Sequence, residues 1–411
     1  MTDTRRNVVA LGLDYALFFV ALSFASPSTI LPAFAAFLGA PNVVIGAIPA
    51  VMTAGWNLPS LFMAAHTETL ERKLPWILRY TIWERVPFLG MAAIAFFLAE
   101  RAPATALAAL LLMLLVMTGT GGLVMPAWMD LMGRAIPTSI RGRFFGIANM
   151  LANLASLGGS LIAAWILARI AAPTGYGVCF LVTTLFMALS YVAFTAVREP
   201  PAVATAPPTP LGTYLRRIPS LLQRDPNLSW YLLARACGAV GLMGSGFYTV
   251  YALRTLDVPL WYVGIFTAAS QVGQIAGNVG LGWLADRGGH RRVVMIGAAA
   301  TVAASALALT APAAGLFSAV FALMGVQVAA GHVSGMNVLL EFAPRVEERP
   351  TYVGLGNTLY APPAIAAYLG AGVLADTLGF RAVFVAAALF SLAALAVLMA
   401  CVRDPRHAVS A

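Results

Sequence analysis

Residues 282–292 read Gly282-Trp-Leu-Ala-Asp286-Arg287-Gly-Gly289-His290-Arg291-Arg292, and they stand between two long apolar runs. The paired glycines favour a tight turn. A cationic turn between apolar runs is typical of a cytoplasmic loop that joins two membrane-spanning helices. In this loop we expect Gly282 to allow close helix approach, and Asp286 to accept hydrogen bonds from helix N-termini or basic groups.

The composition of the whole chain agrees with a membrane protein. Of its 411 residues, 60% are hydrophobic and 10% are charged, and the mean hydropathy is +0.84. Soluble domains carry about 25% charged residues, and disordered chains are far less apolar. The formal charge of +9 therefore indicates basic membrane flanks rather than nucleic-acid binding.

Twelve apolar segments are long enough for membrane-spanning helices, which need about 20 residues each. They are too uniformly apolar for the alternating strands of an outer-membrane barrel. The sequence thus predicts an all-α integral membrane protein. The predicted spans are 8–37, 43–65, 75–98, 103–132, 141–171, 176–197, 228–254, 260–284, 293–311, 313–342, 351–375 and 380–401.

The longest polar interruption, 198–227, is rich in proline and arginine. It divides the chain into an N-terminal six-helix half, 1–197, and a C-terminal six-helix half, 228–411. Within this linker, Leu211–Leu222 alternates basic and apolar residues and is predicted as an interfacial helix.

The basic residues are distributed unequally between the two membrane sides. Of the 25 Lys and Arg residues, 18 fall on one set of flanks, four on the other and three within spans. By the positive-inside rule, both termini are predicted to be cytoplasmic, and the protein to lie in the cytoplasmic (inner) membrane.

The two halves resemble each other in sequence. The stretch Arg141–Asn149 matches Arg349–Asn357 at a spacing of 208 residues, with glycine at the same internal position. Ile45-Gly46 similarly matches Val263-Gly264. Such a parallel six-plus-six duplication predicts two pseudo-symmetric helix bundles.

The 282–292 stretch resembles the cytoplasmic loop signature of the major facilitator superfamily, G-x-x-x-D-R-x-G-R-R. With the spans, linker and repeat, the resemblance covers nearly the whole chain. It implies a twelve-helix fold whose two halves rock about a midplane site, and a protein that is self-sufficient as a monomer. His290 departs from the signature. The antiporter signature of the fifth span is incomplete and the fourth span lacks arginine, so proton-coupled drug antiport does not simply carry over.

Five charged residues lie inside predicted spans and away from the span ends: Asp14, Arg79, Glu84, Arg85 and Arg235. Each costs about 2.5–3.5 kcal/mol on the insertion scale, so each needs a reason. Asp14 and Arg235 lie on repeat-related spans, and we expect them to face each other as a gate or as a site for a polar substrate. The alternative is a pair of snorkelling residues that only fixes helix depth.

Glu84 and Arg85 are adjacent and would point about 100° apart on a helix, so they should not face the same partner. Glu84 is a candidate proton carrier. The alternative is a structural ion pair with a neighbouring helix.

Uncharged polar side chains repeat at helical spacing in several spans, which indicates a hydrated or substrate-binding interior. Interhelical hydrogen bonding is the alternative. The intramembrane His332 is a candidate proton relay, or a packing residue. The remaining candidates for the transport path are Asn57, Asn153, Gln271, Gln274, Asn278 and Gln327.

Acidic and basic residues also recur at the predicted cytoplasmic ends. We expect ion pairs between the halves that close the cytoplasmic side and break in the inward-open state. The residues of this predicted gate and loop motif are Gly282, Asp286, Arg287, Gly289, Arg291, Asp130, Arg141, Glu341 and Arg349.

The sequence therefore predicts a secondary transporter of a small organic solute that works by alternating access. Export is preferred, because the cavity candidates are mostly uncharged polar and aromatic. The alternatives are uptake of an organic anion or sugar, for which Arg235 would suit an anionic group, and a transport-dead sensor or scaffold. We expect no enzyme activity, cofactor, metal site or nucleic-acid partner. The expected partners are the solute, membrane lipid and protons as the coupling ion.

Overall fold

The computed structural model describes residues 3–199, 222–310, 313–343 and 349–404, with all side chains in these ranges except those at 64, 65, 68, 138 and 349–351. Residues 200–221 of the predicted linker, and with them nearly all of the predicted interfacial helix Leu211–Leu222, lie outside the described residues.

The described chain is helical, and its helices follow the apolar runs. Before the linker, the helices are α1 Asp3–Phe24, α2 Ile30–Phe37, α3 Asn42–Glu68, α4 Leu74–Arg85, α5 Pro87–Ala93, α6 Pro103–Ala135, α7 Thr138–Arg169 and α8 Thr174–Thr195. After it, they are α9 Pro226–Gly241, α10 Phe247–Thr255, α11 Tyr262–Gly288, α12 His290–Thr310, α13 Ala314–Ser334, α14 Asn337–Phe342, α15 Arg349–Leu378 and α16 Phe380–Ala400.

Eleven helical segments of the described chain are long and apolar enough to cross a membrane. The remaining predicted span is α11, which is long enough at 27 residues. Its hydropathy is lower because Gln271, Gln274 and Asn278 lie along it. The all-helical membrane architecture predicted from the sequence is therefore confirmed.

Four of the predicted continuous spans are interrupted. The first divides into α1 and α2 around Pro27, and the third divides into α4 and α5 at Pro87. Proline removes an amide donor and clashes with the preceding turn, so a helix breaks there. The seventh is broken by a 3-10 turn at Leu242–Gly244, within a glycine-rich stretch, and the tenth divides before α14.

The described chain forms two compact units. The first holds residues 3–40, 51–199 and 263–268, and the second holds 41–50, 222–262, 269–310, 313–343 and 349–404. These units differ from the predicted halves because the N-terminal ends of α3 and α11 belong to the opposite unit.

Each unit repeats the same packing scheme. In the first unit α1 packs against α7 and α8, and α4 packs against α6. In the second unit α9 packs against α15 and α16, and α12 packs against α13. The apolar clusters that result include Leu11, Leu131 and Phe144 in the first unit, and Tyr231 and Leu355 in the second.

Matching asparagines tie together the two ends of each unit. Asn7 Nδ2 donates to the Arg198 carbonyl at 2.8 Å, and the Arg198 amide donates back to Asn7 Oδ1 at 2.8 Å. Asn227 and Arg403 form the same reciprocal pair at 3.0 and 2.8 Å. We call these two pairs the asparagine clasps; they show the internal duplication at atomic detail.

Glycines bring helix backbones together within the first unit. A Cβ at Gly122 on α6 would collide with the carbonyl oxygens of Gly55 and Trp56 on α3. In the second unit, Gly273 and Gly325 make the corresponding close approach between α11 and α13. Small residues allow this contact where lipid supplies no hydrophobic driving force between helices.

We predict that Gly122→Ala lowers the free energy of unfolding by about 1–3 kcal/mol, because overpacking forces two backbones apart. Gly119→Ala is the matched control on the same helix, since a Cβ there meets no atom within 4 Å. Thermal unfolding in detergent measures both variants. Equal midpoints for the two would contradict this account of the α3–α6 contact.

Candidate functional site

Three charged side chains from predicted spans meet in the first unit. Asp14 lies on α1, and Glu84 and Arg85 end α4. Their side chains are 7%, 9% and 9% exposed, respectively. We call Asp14, Glu84 and Arg85 the buried trio.

Arg85 stands at the centre of the buried trio. Its Nη2 donates to Asp14 Oδ1 at 3.1 Å, and its Nη1 lies 3.5 Å from Glu84 Oε2. Ser190 on α8 donates to Asp14 Oδ1 at 2.5 Å. Thr81 donates to Glu84 Oε2 at 2.9 Å. Each carboxylate therefore has a hydroxyl donor and shares one guanidinium.

The expectation that Glu84 and Arg85 cannot face the same partner is wrong. Arg85 bends back along its own helix, where Nη1 donates to the Thr81 carbonyl at 3.2 Å and also bonds the Thr81 hydroxyl. The helix ends here because Pro87 begins α5 and has no amide hydrogen for the preceding turn. The long arginine side chain thus reaches the carboxylate of its neighbour.

The buried trio is not balanced in charge. It has two carboxylates and one guanidinium, hence a formal charge of −1 when both acids are ionised. An uncompensated charge inside a span is costly. Arg85 Nε, moreover, has no hydrogen-bond partner in the described part of the structure. One carboxylate can therefore take up a proton while the other still neutralises Arg85.

The second unit contains a cavity of about 250 Å³ between α9, α12, α13, α15 and α16. We call it the Arg235 cavity. Its polar lining includes Arg235, Gln327, Tyr360 and Ser391. The cavity stays open because small residues, such as Gly331, form much of its wall.

Arg235 has no acidic partner in the described chain. Its Nη2 donates to Asn357 Oδ1 at 3.1 Å, and its Nη1 lies 3.5 Å from the Gly335 carbonyl oxygen. The guanidinium also stands 5.4 Å from the ring centre of Tyr360. These contacts orient the group without neutralising its charge.

Asp14 and Arg235, which the sequence predicts as a pair, each have partners within their own unit. Asp14 is bound by Arg85 and Ser190 in the first unit, and Arg235 is bound by Asn357 in the second. The mutual pair stays a prediction.

The Arg235 contact has a counterpart in the first unit. Tyr15 on α1 donates to Asn149 Oδ1 at 2.8 Å, as Arg235 on α9 donates to Asn357. The two asparagines occupy matching repeat positions, and so do Tyr15 and Arg235 when Asn7 is aligned on Asn227. The same interhelical bond is therefore made by a phenol in one unit and by a guanidinium in the other.

The uncharged polar residues predicted to line the transport path differ in their hydrogen bonding. Asn57 donates to the Thr53 carbonyl of its own helix at 2.8 Å. Gln274 lies 3.5 Å from the Ser270 hydroxyl. Gln271 Oε1, by contrast, is buried without a hydrogen-bond partner among the described residues.

Of the other transport-path candidates, Gln327 lines the Arg235 cavity. Asn153 and Asn278 are half-buried, and His332 is exposed. Arg79 is also exposed, and its guanidinium lies 5.9 Å from the Tyr80 ring centre.

The loop motif forms the turn that the sequence predicts. Gly289 separates α11 from α12 with a φ of 91°, which favours glycine. Arg287 stacks 4.1 Å from the Trp283 ring centre. Two expectations are corrected: a Cβ at Gly282 would meet no atom within 4 Å, and Asp286 is exposed.

Arginines at these loops bind the C-terminal ends of neighbouring helices. Arg291 Nη2 donates to the Leu398 carbonyl of α16 at 2.6 Å. Arg141 Nη2 donates to the Ile136 carbonyl at 3.1 Å and also bonds the Gly133 carbonyl of α6. A cation there offsets the negative end of the helix dipole and satisfies carbonyls that have no helical donor.

The acids of the predicted gate have partners within their own units. Asp130 contacts Lys73 and Arg134, each at 2.6 Å. Glu341 lies 3.9 Å from His290. The described pairs therefore lie within the units, and the expected ion pairs between the halves stay a prediction. The side chain of Arg349 lies outside the described residues.

Several polar partners were not predicted from the sequence. Glu199 accepts from the Lys73 amide at 2.8 Å and the Leu74 amide at 3.0 Å, which caps the start of α4. The Ser391 hydroxyl is buried in the Arg235 cavity without a partner in the described chain. Serines are common in spans, so no sequence signal distinguishes Ser190 and Ser391. The acid at Glu199, by contrast, stands out at the start of the predicted linker.

Among the described residues, no group of three or more His, Cys, Asp or Glu is arranged to hold a metal ion.

Residues 250–411 match the family model of the Major Facilitator Superfamily. Over these residues the resemblance inferred from the loop motif is confirmed, and a transporter is favoured over an enzyme. A search among curated proteins gives no match.

Solved transporter structures share the fold along nearly the whole chain. A mutant of the nucleoside transporter NupG has 14% identity and a TM-score of 0.73, over 97% of this chain and 99% of that one. A D-xylose–proton symporter has 14% identity and a TM-score of 0.70, over 98% of both chains. A bacterial homologue of the iron transporter ferroportin has 13% identity and a TM-score of 0.72, over 96% of this chain and 98% of that one. At these identities the likeness shows the fold alone.

We predict that Arg85→Met lowers the free energy of unfolding by about 3–5 kcal/mol, because it leaves two buried carboxylates without their guanidinium. Asp14→Asn should cost less, about 1–3 kcal/mol, because Glu84 still neutralises Arg85 and only the hydrogen bonds to a charged group are lost. The double variant should lose less than the sum, and a double-mutant cycle in detergent measures this coupling. Arg79→Met, at an exposed arginine of the same helix, should cost under about 1 kcal/mol. Additive losses at positions 14 and 85 would show that the two side chains do not interact.

Proposed function

We propose that the chain is a secondary active transporter of a small organic solute, coupled to protons that bind at the buried trio. The observation that carries the proposal is the sharing of one guanidinium by two buried carboxylates. The D-xylose–proton symporter with the same fold supports protons as the coupling ion.

Charge balance explains why the buried trio suits this role. Without a bound proton it has a formal charge of −1, and with one it is neutral. The two forms differ by a full charge in a poorly hydrated site, where such a difference is worth several kcal/mol. A conformation that exposes the trio to water therefore favours the charged form, and a conformation that seals it favours the protonated form.

The size of the Arg235 cavity supports a small solute. Its volume of about 250 Å³ is below the range of about 300–1,000 Å³ that holds drug-sized ligands. Export, the direction preferred from the sequence, corresponds to exchange of solute for protons. Uptake, the alternative, corresponds to movement of both in the same direction.

The protein spans the membrane. We further propose that it lies in the cytoplasmic membrane as a monomer surrounded by lipid, with both termini on the cytoplasmic side. The positive-inside distribution supports this orientation. The binding of helix ends by Arg141 and Arg291 gives these cytoplasmic arginines a structural role as well.

The transport proposal is tested in liposomes that contain the purified protein and the pH-sensitive dye pyranine. A sugar, a nucleoside, an organic anion and a lipophilic cation are added outside in turn. We expect one class to change the internal pH. A rise indicates exchange of the solute for protons, the export mode, whereas a fall indicates symport.

Asp14→Asn and Glu84→Gln should each abolish this solute-driven pH change, because each removes one of the two carboxylates that share the proton. Glu100→Gln is the control, since Glu100 is exposed in the turn before α6. Undiminished pH changes in both trio variants would exclude the trio as the coupling site. No response to any class would favour the sensor or scaffold alternative.

A further inference from the structure

We propose that the Arg235 cavity binds a small monocarboxylate, with the carboxylate on Arg235 and an apolar body against the small residues of the wall. A monocarboxylate would be the substrate class of the proposed transporter. The claim that this ligand is transported rests on the proposed function. The binding itself follows from the charge, the unused donors and the shape of the cavity.

The first argument is charge. Arg235 is on a membrane span and its contacts in the described chain are neutral: Asn357, the Gly335 carbonyl and the Tyr360 ring. In the first unit, by comparison, Arg85 is matched by carboxylates at 3.1 and 3.5 Å. A guanidinium that borders a cavity without such a partner favours an anion from outside the chain.

The second argument is the set of hydrogen-bonding groups that line the same cavity. A guanidinium has five N–H groups. In Arg235, one N–H of Nη1 contacts the Gly335 carbonyl oxygen and one N–H of Nη2 donates to Asn357 Oδ1. The Ser391 hydroxyl is 1% exposed at the residue level and has no partner among the described residues. Buried polar groups are nearly always hydrogen-bonded, so a free buried hydroxyl on a cavity wall points to a ligand acceptor. Gln327 adds an amide to the same wall.

The third argument decides between anions. A single guanidinium neutralises one negative charge, which a carboxylate supplies. A phosphate monoester carries about −1.5 to −2 at pH 7, and a single guanidinium would leave part of that charge unmatched. The planar fork of arginine also matches the two oxygens of a carboxylate. A monocarboxylate is therefore favoured over a phosphate ester.

The fourth argument is shape. Beside its polar residues, the lining contains Leu242, Val294 and Leu398, together with several alanines and glycines. The volume of about 250 Å³ leaves room for a short aliphatic or single-ring body. The ligand therefore has one anionic end and a compact apolar end.

The test measures thermal stabilisation of the purified protein by lactate, hexanoate, benzoate and phenylacetate. The amides of the same acids and phenyl phosphate are measured in parallel. A ligand that binds only the folded protein raises the unfolding midpoint. We expect at least one carboxylate to raise it while its amide does not, since the amide keeps the shape and loses the charge.

Two variants locate the binding. Arg235→Gln should weaken carboxylate binding by about tenfold or more, because a hydrogen bond to a charged group is lost. Arg79→Gln is its control, another arginine of a span beside a tyrosine ring. Gly331→Leu should narrow the cavity, since Gly331 lines it and a Cβ there meets no atom within 4 Å. Gly370→Leu is the matched control, equally unobstructed but outside the cavity lining.

Retained binding in both controls, with loss in Arg235→Gln and Gly331→Leu, would support the proposal. Equal stabilisation by acid and amide, no stabilisation by any acid, tighter binding of phenyl phosphate, or unchanged binding in either cavity variant would overturn it. Thermal stabilisation measures binding and does not require transport. Carboxylate binding without any pH change in liposomes would therefore contradict only the transport proposal. A solute-driven pH change that Arg235→Gln leaves intact would contradict only the proposal of carboxylate binding at Arg235.

Discussion

A charge inside an apolar helix bundle is stable only where a partner, water or a ligand compensates it. This constraint organises the whole molecule. In the first unit, Asp14, Glu84, Arg85 and two hydroxyl groups satisfy one another almost completely within a closed cluster. In the second unit, Arg235 borders an open cavity and has only neutral contacts in the described chain. At the loops, arginines such as Arg291 bind carbonyls at helix ends. The position of each charge thus separates the charges that pack helices from those proposed here for coupling and for recognition.

The duplicated architecture makes the difference between the units informative. Both units have an asparagine clasp, and both pack their first helix against their fifth and sixth spans. Asn149 and Asn357 accept equivalent interhelical bonds, but the donor is Tyr15 in one unit and Arg235 in the other. A shared scaffold with one altered side chain is an economical way to obtain an asymmetric site. The shared asparagines therefore reflect the duplicated fold, whereas the differing donors, Tyr15 and Arg235, mark where the two units diverge.

The sequence predicts the architecture well because long apolar runs, basic flanks and a repeat are strong signals that do not depend on side-chain detail. The loop turn at Gly289 was predicted for the same reason. The pairing of charges was not. Helical geometry alone keeps Glu84 and Arg85 apart, yet a long side chain that bends back along its helix brings them together. The partners of Asp14 and Asp130 depend on which helices are neighbours within a unit, and sequence spacing does not fix this. The Arg235 cavity depends on small residues from five helices, each unremarkable by itself.

The asparagine clasps have a consequence for assembly. Asn7 and Arg198 stand at the two ends of one unit, and Asn227 and Arg403 stand at the two ends of the other. Each unit is thereby fastened by its own chain, and a cut between residues 199 and 222 would sever neither fastening. The connection between the units is therefore not what holds the ends of either unit together.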